Sequence, residues 1–503
     1  MKMRRIVSIV WCFSVLILWS GCSSQEVTNP TSTLPVVPTV TDSAPISTTQ
    51  ILPTLTPTPY PYFEPAGCFQ PENDYSLVEI NGWIINQRTL SMLQHASVLF
   101  NGNSEYLPSL ITQGSYHDNG AASWGTHLGG GAIDLSVMLP GTYTVDSANI
   151  SRMIRSLRAA GFAAWLRDTN ELFSGSSLHV HAIAVGDAQL SQPALDQLIS
   201  EAGYFFGFNG IPVDTGAPLS DRHGSPVVCN WMIASGYPAP DQTIEPHQPW
   251  QLRLIETAEK LITSNEEQTQ SIANQLSFYP GTVRGMEDLD GPLAVWILHE
   301  SKILLPEESP IFQYTYFRLG ELDSEWRFWI QFPISDYTRF DIPEPAGSFD
   351  FTTWPLLAGD VVITNNSGKY THLFVVTEVD DTGKAFTIAP IHQEDNSVLI
   401  QKALLYDPGN KEEGLLKNSW SGCEIPDCKN NGGLTVLRRP DLHLASGTPL
   451  EHLVQPGDSI PHIAMIYDSQ IDAIITANPG VVPEKLEPGY SLSVPVNLLD
   501  VEK

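Results

Sequence analysis

The sequence predicts a multidomain α+β protein, and three observations support that prediction. The chain has 503 residues, which is too long for one ordinary hydrophobic core. Apolar residues recur at helical spacing in 149–160 and 191–202, whereas AAWLR and LHVHAIAV between them are typical of strands. The composition changes near residue 66 from Pro, Thr and Ser to ordinary globular content. We therefore expect about two to four folded domains behind an extended N-terminal segment.

The net charge of the chain limits the classes of partner that its surface can bind. It carries 56 Asp and Glu against 26 Lys and Arg, a formal net charge of −30. Affinity for nucleic acid or anionic lipid depends on clustered basic residues, because these release counterions from phosphates. We therefore expect no nucleic acid partner and no membrane contact through the folded surface.

The N-terminus has the pattern of an export signal. Lys2, Arg4 and Arg5 precede an apolar run, residues 6–19, that is short for a membrane span. Cys22 follows Ser-Gly directly, and this arrangement resembles a bacterial lipobox, although Trp19 stands where such boxes usually carry Leu. The resemblance implies a signal peptide over 1–21 and a lipid on Cys22. The alternative is an ordinary signal with an incidental cysteine.

The segment 22–66 is rich in Pro and Thr, so we expect an extended tether that cannot build a core of its own. Two of the six cysteines belong to the signal region, and an exported chain meets an oxidising environment. The even remainder predicts two disulfides. Cys68 with Cys229 would join the ends of the first domain, and Cys423 with Cys428 would close a small loop.

Two short segments within 67–232 indicate a metal site. GTHLGGGAIDLS contains His127 and Asp134, and the glycines at 129–131 allow the backbone to turn between them. SSLHVHAIAVGD contains His179 and His181, which share one face of a strand. Imidazole and carboxylate are zinc ligands. Either motif alone is more often structural than metal-binding, but their combination in this order favours a metal site.

These segments resemble the signature motifs of the D-Ala-D-Ala carboxypeptidase, lysostaphin and hedgehog-like zinc fold, in which HLGGGAID fits the form H-x-x-G-x-A-x-D. The resemblance implies an antiparallel-sheet peptidase domain with Zn²⁺ on His127, Asp134 and His181, acting on peptidoglycan stem peptides or cross-links. Many relatives have a Glu shortly before the last ligand, and this chain has none, so His179 is the candidate catalytic base. His117 stands where many carboxypeptidases carry Arg.

The region 248–440 weakly resembles NlpC-type cysteine peptidases, which have a papain-like α+β fold. Asp288, Asp290 and Gly291 match the start of the nucleophile helix, and Gly359 with Asp360 precedes the His372 strand. Leu289 occupies the place of the nucleophilic cysteine, and a leucine cannot form a thiolate. We therefore expect a catalytically inactive domain, and a cysteine hydrolase is disfavoured. His372 is as readily a core histidine as a remnant base.

The last unit, 447–497, closely resembles a LysM module. Its sequence implies a βααβ fold that binds N-acetylglucosamine-containing glycan in a shallow groove. The positions that match the groove loops form two runs of consecutive residues: Gly457, Asp458, Ser459 and Ile460, and then Asn478, Pro479, Gly480 and Val481.

Together these features predict an exported lipoprotein of the cell envelope that cleaves peptidoglycan peptides with zinc and is held on the wall by its glycan-binding module. The alternative is a non-catalytic envelope lipoprotein that binds wall glycan and peptide through degenerate hydrolase domains. The peptidase requires a general base near His181, and the non-catalytic alternative does not. The sequence alone does not show whether such a base lies there.

Overall fold

A computed structural model describes most of the chain beyond the predicted tether, namely residues 62–117, 124–167, 171–173, 175–212, 218, 220–221, 223–239, 248–276, 286, 289–304, 337–342, 351, 353–366, 369–410, 412–418 and 433–499. Contacts divide the chain into two units, Met1–Thr56 and Pro57–Lys503, and all described residues lie in the second. Cys22, Asp288, Cys423 and Cys428 lie outside the described residues. The described part is mixed α and β with several antiparallel sheets, as predicted.

The first part of the fold, residues 62–239, is built on a four-stranded antiparallel sheet. This part of the fold contains six strands: β1 (Leu77–Ile80), β2 (Trp83–Asn86), β3 (Ile111–Gln113), β4 (Ala132–Leu135), β5 (Phe162–Arg167) and β6 (His179–Ala184). The sheet order is β3-β4-β6-β5, and β1 and β2 form a separate hairpin. The helices are α1 (Gln87–Asn101), α2 (Tyr106–Ser109), α3 (Ser147–Ala159), α4 (Gln192–Ile199) and α5 (Asn230–Ala234).

The two faces of this sheet have different roles, because side chains alternate along each strand. Ile133, Val180 and Ala182 belong to one apolar cluster with buried residues of α1 and α3. Trp165 and Ile183 belong to a second cluster, on the face that also carries Asp134 and His181. The apolar packing of the first face therefore fixes which residues the second face presents.

The predicted disulfide between Cys68 and Cys229 is present, and it joins residues 161 positions apart. Cys229 is fully buried within the second apolar cluster. The bond ties the segment that enters this part of the fold to the segment that precedes α5. Since it closes a long loop, it restricts the unfolded chain strongly.

Replacing Cys68 and Cys229 together with serine should lower the free energy of unfolding by about 2–5 kcal/mol, because the unfolded chain regains the freedom that the loop removes. Urea denaturation of the oxidised protein and of the double variant, followed by tryptophan fluorescence, measures the difference. Reducing the wild-type protein should reproduce the shift, and equal midpoints for all three samples would contradict the prediction.

The central part of the fold has three α-helices and two antiparallel sheets among its described residues. The helices are α6 (Trp250–Glu259), α7 (Glu266–Leu276) and α8 (Asp290–Glu300), and the strands are β7 (Thr338–Ile342), β8 (Val361–Asn366), β9 (Lys369–Val375), β10 (Glu378–Val379), β11 (Ala385–His392), β12 (Val398–Tyr406) and β13 (Gly433–Arg438). The sheet orders are β7-β13-β8-β9 and β10-β11-β12. Leu293 and Ile297 of α8 pack with Ile363 and Leu373 of the first of these sheets.

The C-terminal module has the predicted β–α–α–β order. It consists of β14 (Pro449–Leu453), α9 (Ile460–Ile466), α10 (Ile471–Ala477) and β15 (Ser491–Pro495), and its two strands pair antiparallel. Two residues from the end of the predicted tether, Phe63 and Ala66, are buried in the core of this module. The tether was expected to remain extended up to residue 66, but its last residues fold because this apolar core lies against them.

The module contacts both other parts of the fold. Arg155 of α3 forms a buried ion pair with Asp458, at 2.6 Å. Arg253 of α6 forms another with Asp468, at 2.8 Å. The buried Arg439 donates to the carbonyls of Ile303 and Ile466, which belong to the central part and to the module. In the portion of the chain that the structure describes, no helix is long and apolar enough to cross a membrane.

Candidate metal centre

The predicted ligands His127, Asp134 and His181 come together at one end of the first sheet. Asp134 lies on β4 directly opposite His181 on β6, because the two strands pair in that register. His127 lies on a short 3-10 helix, Thr126–Leu128, that precedes β4. One ligand atom from each of the three residues lies within 4.8 Å of the other two. Residues far apart in sequence thus form one cluster.

One of the two distances in the cluster matches the spacing of zinc ligands, and the other is that of a hydrogen bond. His127 Nε2 is 3.4 Å from Asp134 Oδ1, and His181 Nδ1 is 2.7 Å from the same oxygen. Two ligands bound to zinc at about 2 Å in a tetrahedron lie about 3.3 Å apart. The Nε2 atom of His181 is buried and has no hydrogen-bond partner among the described residues. Two imidazoles and one carboxylate form a three-ligand set that fits catalytic zinc.

The main chain around the cluster orients the first ligand. His127 Nδ1 lies 2.9 Å from the carbonyl oxygen of Gly114, and a carbonyl only accepts. Nδ1 therefore carries a proton, and Nε2, which faces Asp134, is the nitrogen that could bind a metal. Gly130 and Gly131, which follow the 3-10 helix, are required by close packing and by backbone conformation. Gly131 has a φ of +82°, and a Cβ on Gly130 would lie 2.6 Å from the Tyr116 hydroxyl oxygen.

The electrostatics favour the protonation states that a metal requires at Asp134 and His181, whereas at His127 they favour the protonated ring. Burial would raise the pKa of Asp134, but the charge of His127 and hydrogen bonds with His127 and His181 hold it well below its ordinary value. Burial lowers the pKa of His181 to about 4, despite its bond to Asp134. Burial would also lower the pKa of His127, but Asp134 and nearby carbonyls raise it overall. At neutral pH Asp134 is ionised and His181 is neutral.

His179 stands beside the cluster without joining its ligand set. Its Nε2 is 3.8 Å from Asp134 Oδ1, and its Nδ1 lies 2.7 Å from the Ser177 carbonyl oxygen. Because that carbonyl only accepts, Nδ1 is the protonated nitrogen, and Nε2 presents a lone pair toward the cluster. His179 can therefore accept a proton from a group placed near the three ligands.

The cluster forms one wall of a cavity of about 260 Å³. Arg167 is buried in its wall, directly opposite His179 in the strand register, and its guanidinium lies 5.0 Å from the ring centre of Trp165. Sequence reasoning missed this arginine, as well as Trp124 and Phe173, which also line the cavity. The strand AAWLR was predicted, but its pairing with the His-x-His strand, which brings Arg167 to the site, was not.

His117, at the position where relatives carry arginine, has a different environment. Its ring lies edge-on to Trp83, with ring centres 5.5 Å apart, and its amide donates to the carbonyl of His127. It helps to hold the 3-10 helix, and it is not among the described residues that line the cavity.

In the central part, the residues matched to a cysteine peptidase form a different constellation. Leu289 is fully buried immediately before α8, where it joins the apolar core. Asp290 Oδ2 is 3.0 Å from His372 Nδ1, and the His372 side chain is 50% exposed. His372 is therefore an exposed residue held by a carboxylate, and not a core histidine. Asp360 accepts two hydrogen bonds from Arg438, so its role is structural.

The predicted groove residues of the C-terminal module divide into buried and exposed positions. The Asp458 carboxylate is fully buried and Ile460 belongs to the core, so neither side chain can face a glycan here. The Asn478 side chain bonds to main-chain atoms of Ile474 and Ser493. Pro479 and Gly480 are exposed. A motif match does not show this burial, because a motif records the type of each residue and not the direction in which its side chain points.

Comparison with known families supports the C-terminal assignment. Residues 452–495 match the LysM domain family. No family match supports the zinc-peptidase or NlpC-like resemblance. Neither the curated proteins nor the solved structures contain a match to the chain. The LysM match indicates a protein that binds peptidoglycan and acts at the cell wall or outside the cell.

Metal binding can be tested on the full chain by replacing the ligands one at a time. His127→Ala and Asp134→Ala should each lose bound zinc, because two protein ligands do not hold it tightly. His179→Ala should keep its zinc. Zinc per chain is measured by mass spectrometry of the element after dialysis. His95→Ala is the matched control, since His95 stacks on Phe69 and is outside the cluster. Equal zinc content in all four variants would contradict this assignment.

Proposed function

We propose that the protein is a zinc-dependent peptidoglycan peptidase that cleaves stem peptides or their cross-links and is held on the wall by its LysM module. The observation that carries the proposal is the convergence of His127, Asp134 and His181, whose ligand atoms lie within 4.8 Å of one another beside a cavity. The match of the C-terminal module to a wall-binding family supplies the substrate class.

In this proposal each residue of the centre has a defined task. His127, Asp134 and His181 would hold zinc, which when bound polarises a scissile carbonyl and lowers the pKa of a coordinated water. His179 accepts a proton through Nε2, since Nδ1 is committed to the Ser177 carbonyl. Arg167 adds a fixed positive charge to the cavity wall.

The placement of the protein in the envelope belongs to the same proposal. The N-terminal signal would direct export, an acylated Cys22 would attach the chain to the membrane, and the tether would let the folded part reach the wall. A relaxed coil of the tether's length spans roughly 35 Å, and proline extends it. The lipid and the LysM module would then hold the peptidase between membrane and wall.

One observation favours a second function, that of a non-catalytic wall-binding scaffold. Asp134 is the only carboxylate among the described residues that line the cavity, and it is already a ligand candidate. An acidic general base is therefore missing from the described wall. If the central part is NlpC-like, Leu289 also stands at its nucleophile position. On this alternative, the zinc centre would be structural.

A hydrolysis assay separates the two functions. The zinc-loaded full chain, incubated with purified muropeptides, should release a terminal D-Ala or split a cross-link, as detected by mass spectrometry. His127→Ala should abolish the product, and His179→Ala should lower kcat by about 10²–10⁴-fold while keeping zinc, as expected for a general base. His95→Ala should behave as wild type. An absence of product from wild type with zinc bound would favour the scaffold, and wild-type rates in His179→Ala would remove the base assignment.

A further inference from the structure

The segment 62–68, which we call the clasp, begins the first part of the fold and also contacts the C-terminal module. Phe63 and Ala66 of the clasp are 2% and 0% exposed, and both belong to the apolar core of the module. At its other side the clasp is attached to the first part of the fold. Cys68 is bonded to Cys229, and the Tyr62 hydroxyl donates to the Val228 carbonyl.

The clasp forms main-chain hydrogen bonds with the first predicted groove loop, which begins at Gly457. The amide of Gly457 donates to the carbonyl of Ala66 at 2.7 Å, and the amide of Ala66 donates to the carbonyl of Asp458 at 2.7 Å. The acetamido group of N-acetylglucosamine also offers one N–H and one C=O. A glycan that bonded this loop through its acetamido group would therefore compete with Ala66 for the same two groups.

A buried ion pair holds the same loop on the first part of the fold. Arg155 donates to the Asp458 carboxylate at 2.6 Å and to the Pro456 carbonyl at 3.2 Å. His452 Nε2 also lies 2.9 Å from that carboxylate, and His462 Nδ1 lies 3.6 Å from it. A Cβ on Gly457 would lie 3.0 Å from Val227. The loop therefore has little room for a sugar while these contacts persist.

The second predicted groove loop, residues 478–481, is partly exposed to solvent. Pro479 and Gly480 are exposed, and Val482 is 53% exposed. A cleft of about 670 Å³ also lies beside the clasp, lined by Glu64, Gln455 and Lys485 among others. The groove is thus closed at one loop and open at the other, with space next to the closed contact.

We propose that the clasp is an internal gate on the glycan-binding face: Ala66 occupies the Gly457–Asp458 loop until an N-acetylglucosamine-containing strand displaces it. This inference rests on the proposed binding of glycan through the two loops of the module. Only molecules with an open clasp can bind at this loop. The apparent affinity for glycan is therefore the intrinsic affinity multiplied by the fraction of molecules that are open. Weakening the clasp therefore increases affinity, which is the reverse of what removing a binding residue does.

Calorimetric titration of the full chain with chitohexaose tests the gate. Phe63→Ala removes the clasp side chain that is buried in the module core, and Arg155→Gln removes the ion pair to Asp458. Each variant should therefore bind chitohexaose at least about fivefold more tightly than wild type. The matched controls are Phe206→Ala and Arg438→Gln. Phe206 is exposed elsewhere, and Arg438 forms an ion pair with the buried Asp360 in the central part of the fold. Both controls should bind as wild type does.

Hydrogen exchange provides a readout that does not depend on affinity. Without ligand, the amides of Ala66 and Gly457 should be protected in wild type and should exchange faster in Phe63→Ala. With saturating chitohexaose, exchange at Ala66 in wild type should increase while Gly457 stays protected. Unchanged protection of Ala66 at saturation, or equal affinity in wild type and both clasp variants, overturns the gate while leaving glycan binding intact. If no variant binds, glycan binding by the module itself fails, which is a different result.

Discussion

A carboxylate that leaves water must find positive charge or hydrogen-bond donors, and two buried aspartates impose this requirement on the fold. Asp134 meets it with the imidazoles of His127 and His181, and Asp458 meets it with Arg155 and His452. In both cases one partner comes from a distant segment of the chain, His181 for Asp134 and Arg155 for Asp458. Asp134 therefore brings together the candidate metal centre, and Asp458 joins the C-terminal module to the first part of the fold.

The candidate metal centre depends on apolar packing on the opposite face of the sheet. Asp134 and His181 face each other because β4 and β6 pair in one register, and the residues that flank them on the two strands help to set that register. Ile133, Val180 and Ala182 point to the opposite face and pack on α1 and α3. A slip of one residue would bury the ligands in that core and expose the core residues, so helix packing fixes the site.

Local patterns in the sequence predicted what depends on local geometry. The His-x-His strand, the helix after Ser191, the disulfide between Cys68 and Cys229 and the β–α–α–β module were all predicted and are present. The contact between Arg155 and Asp458 was not predicted, since the residues are 303 positions apart. For the same reason Asp458 was assigned to a glycan, and the end of the tether was assigned to solvent. A motif records which residues are present, whereas burial depends on segments distant in the chain.

The central part of the fold has a structural task that its contacts define. Leu289 fills the apolar core at the start of α8. The same helix is followed by Ile303, whose carbonyl accepts from the buried Arg439, and Arg439 also reaches Ile466 of the module. On the other side, Arg253 pairs with Asp468. The module is thus held by the central part as well as by Arg155. Any opening at the clasp must proceed with these contacts in place or break them too, so the central part limits how far the glycan-binding face can separate from the rest of the protein.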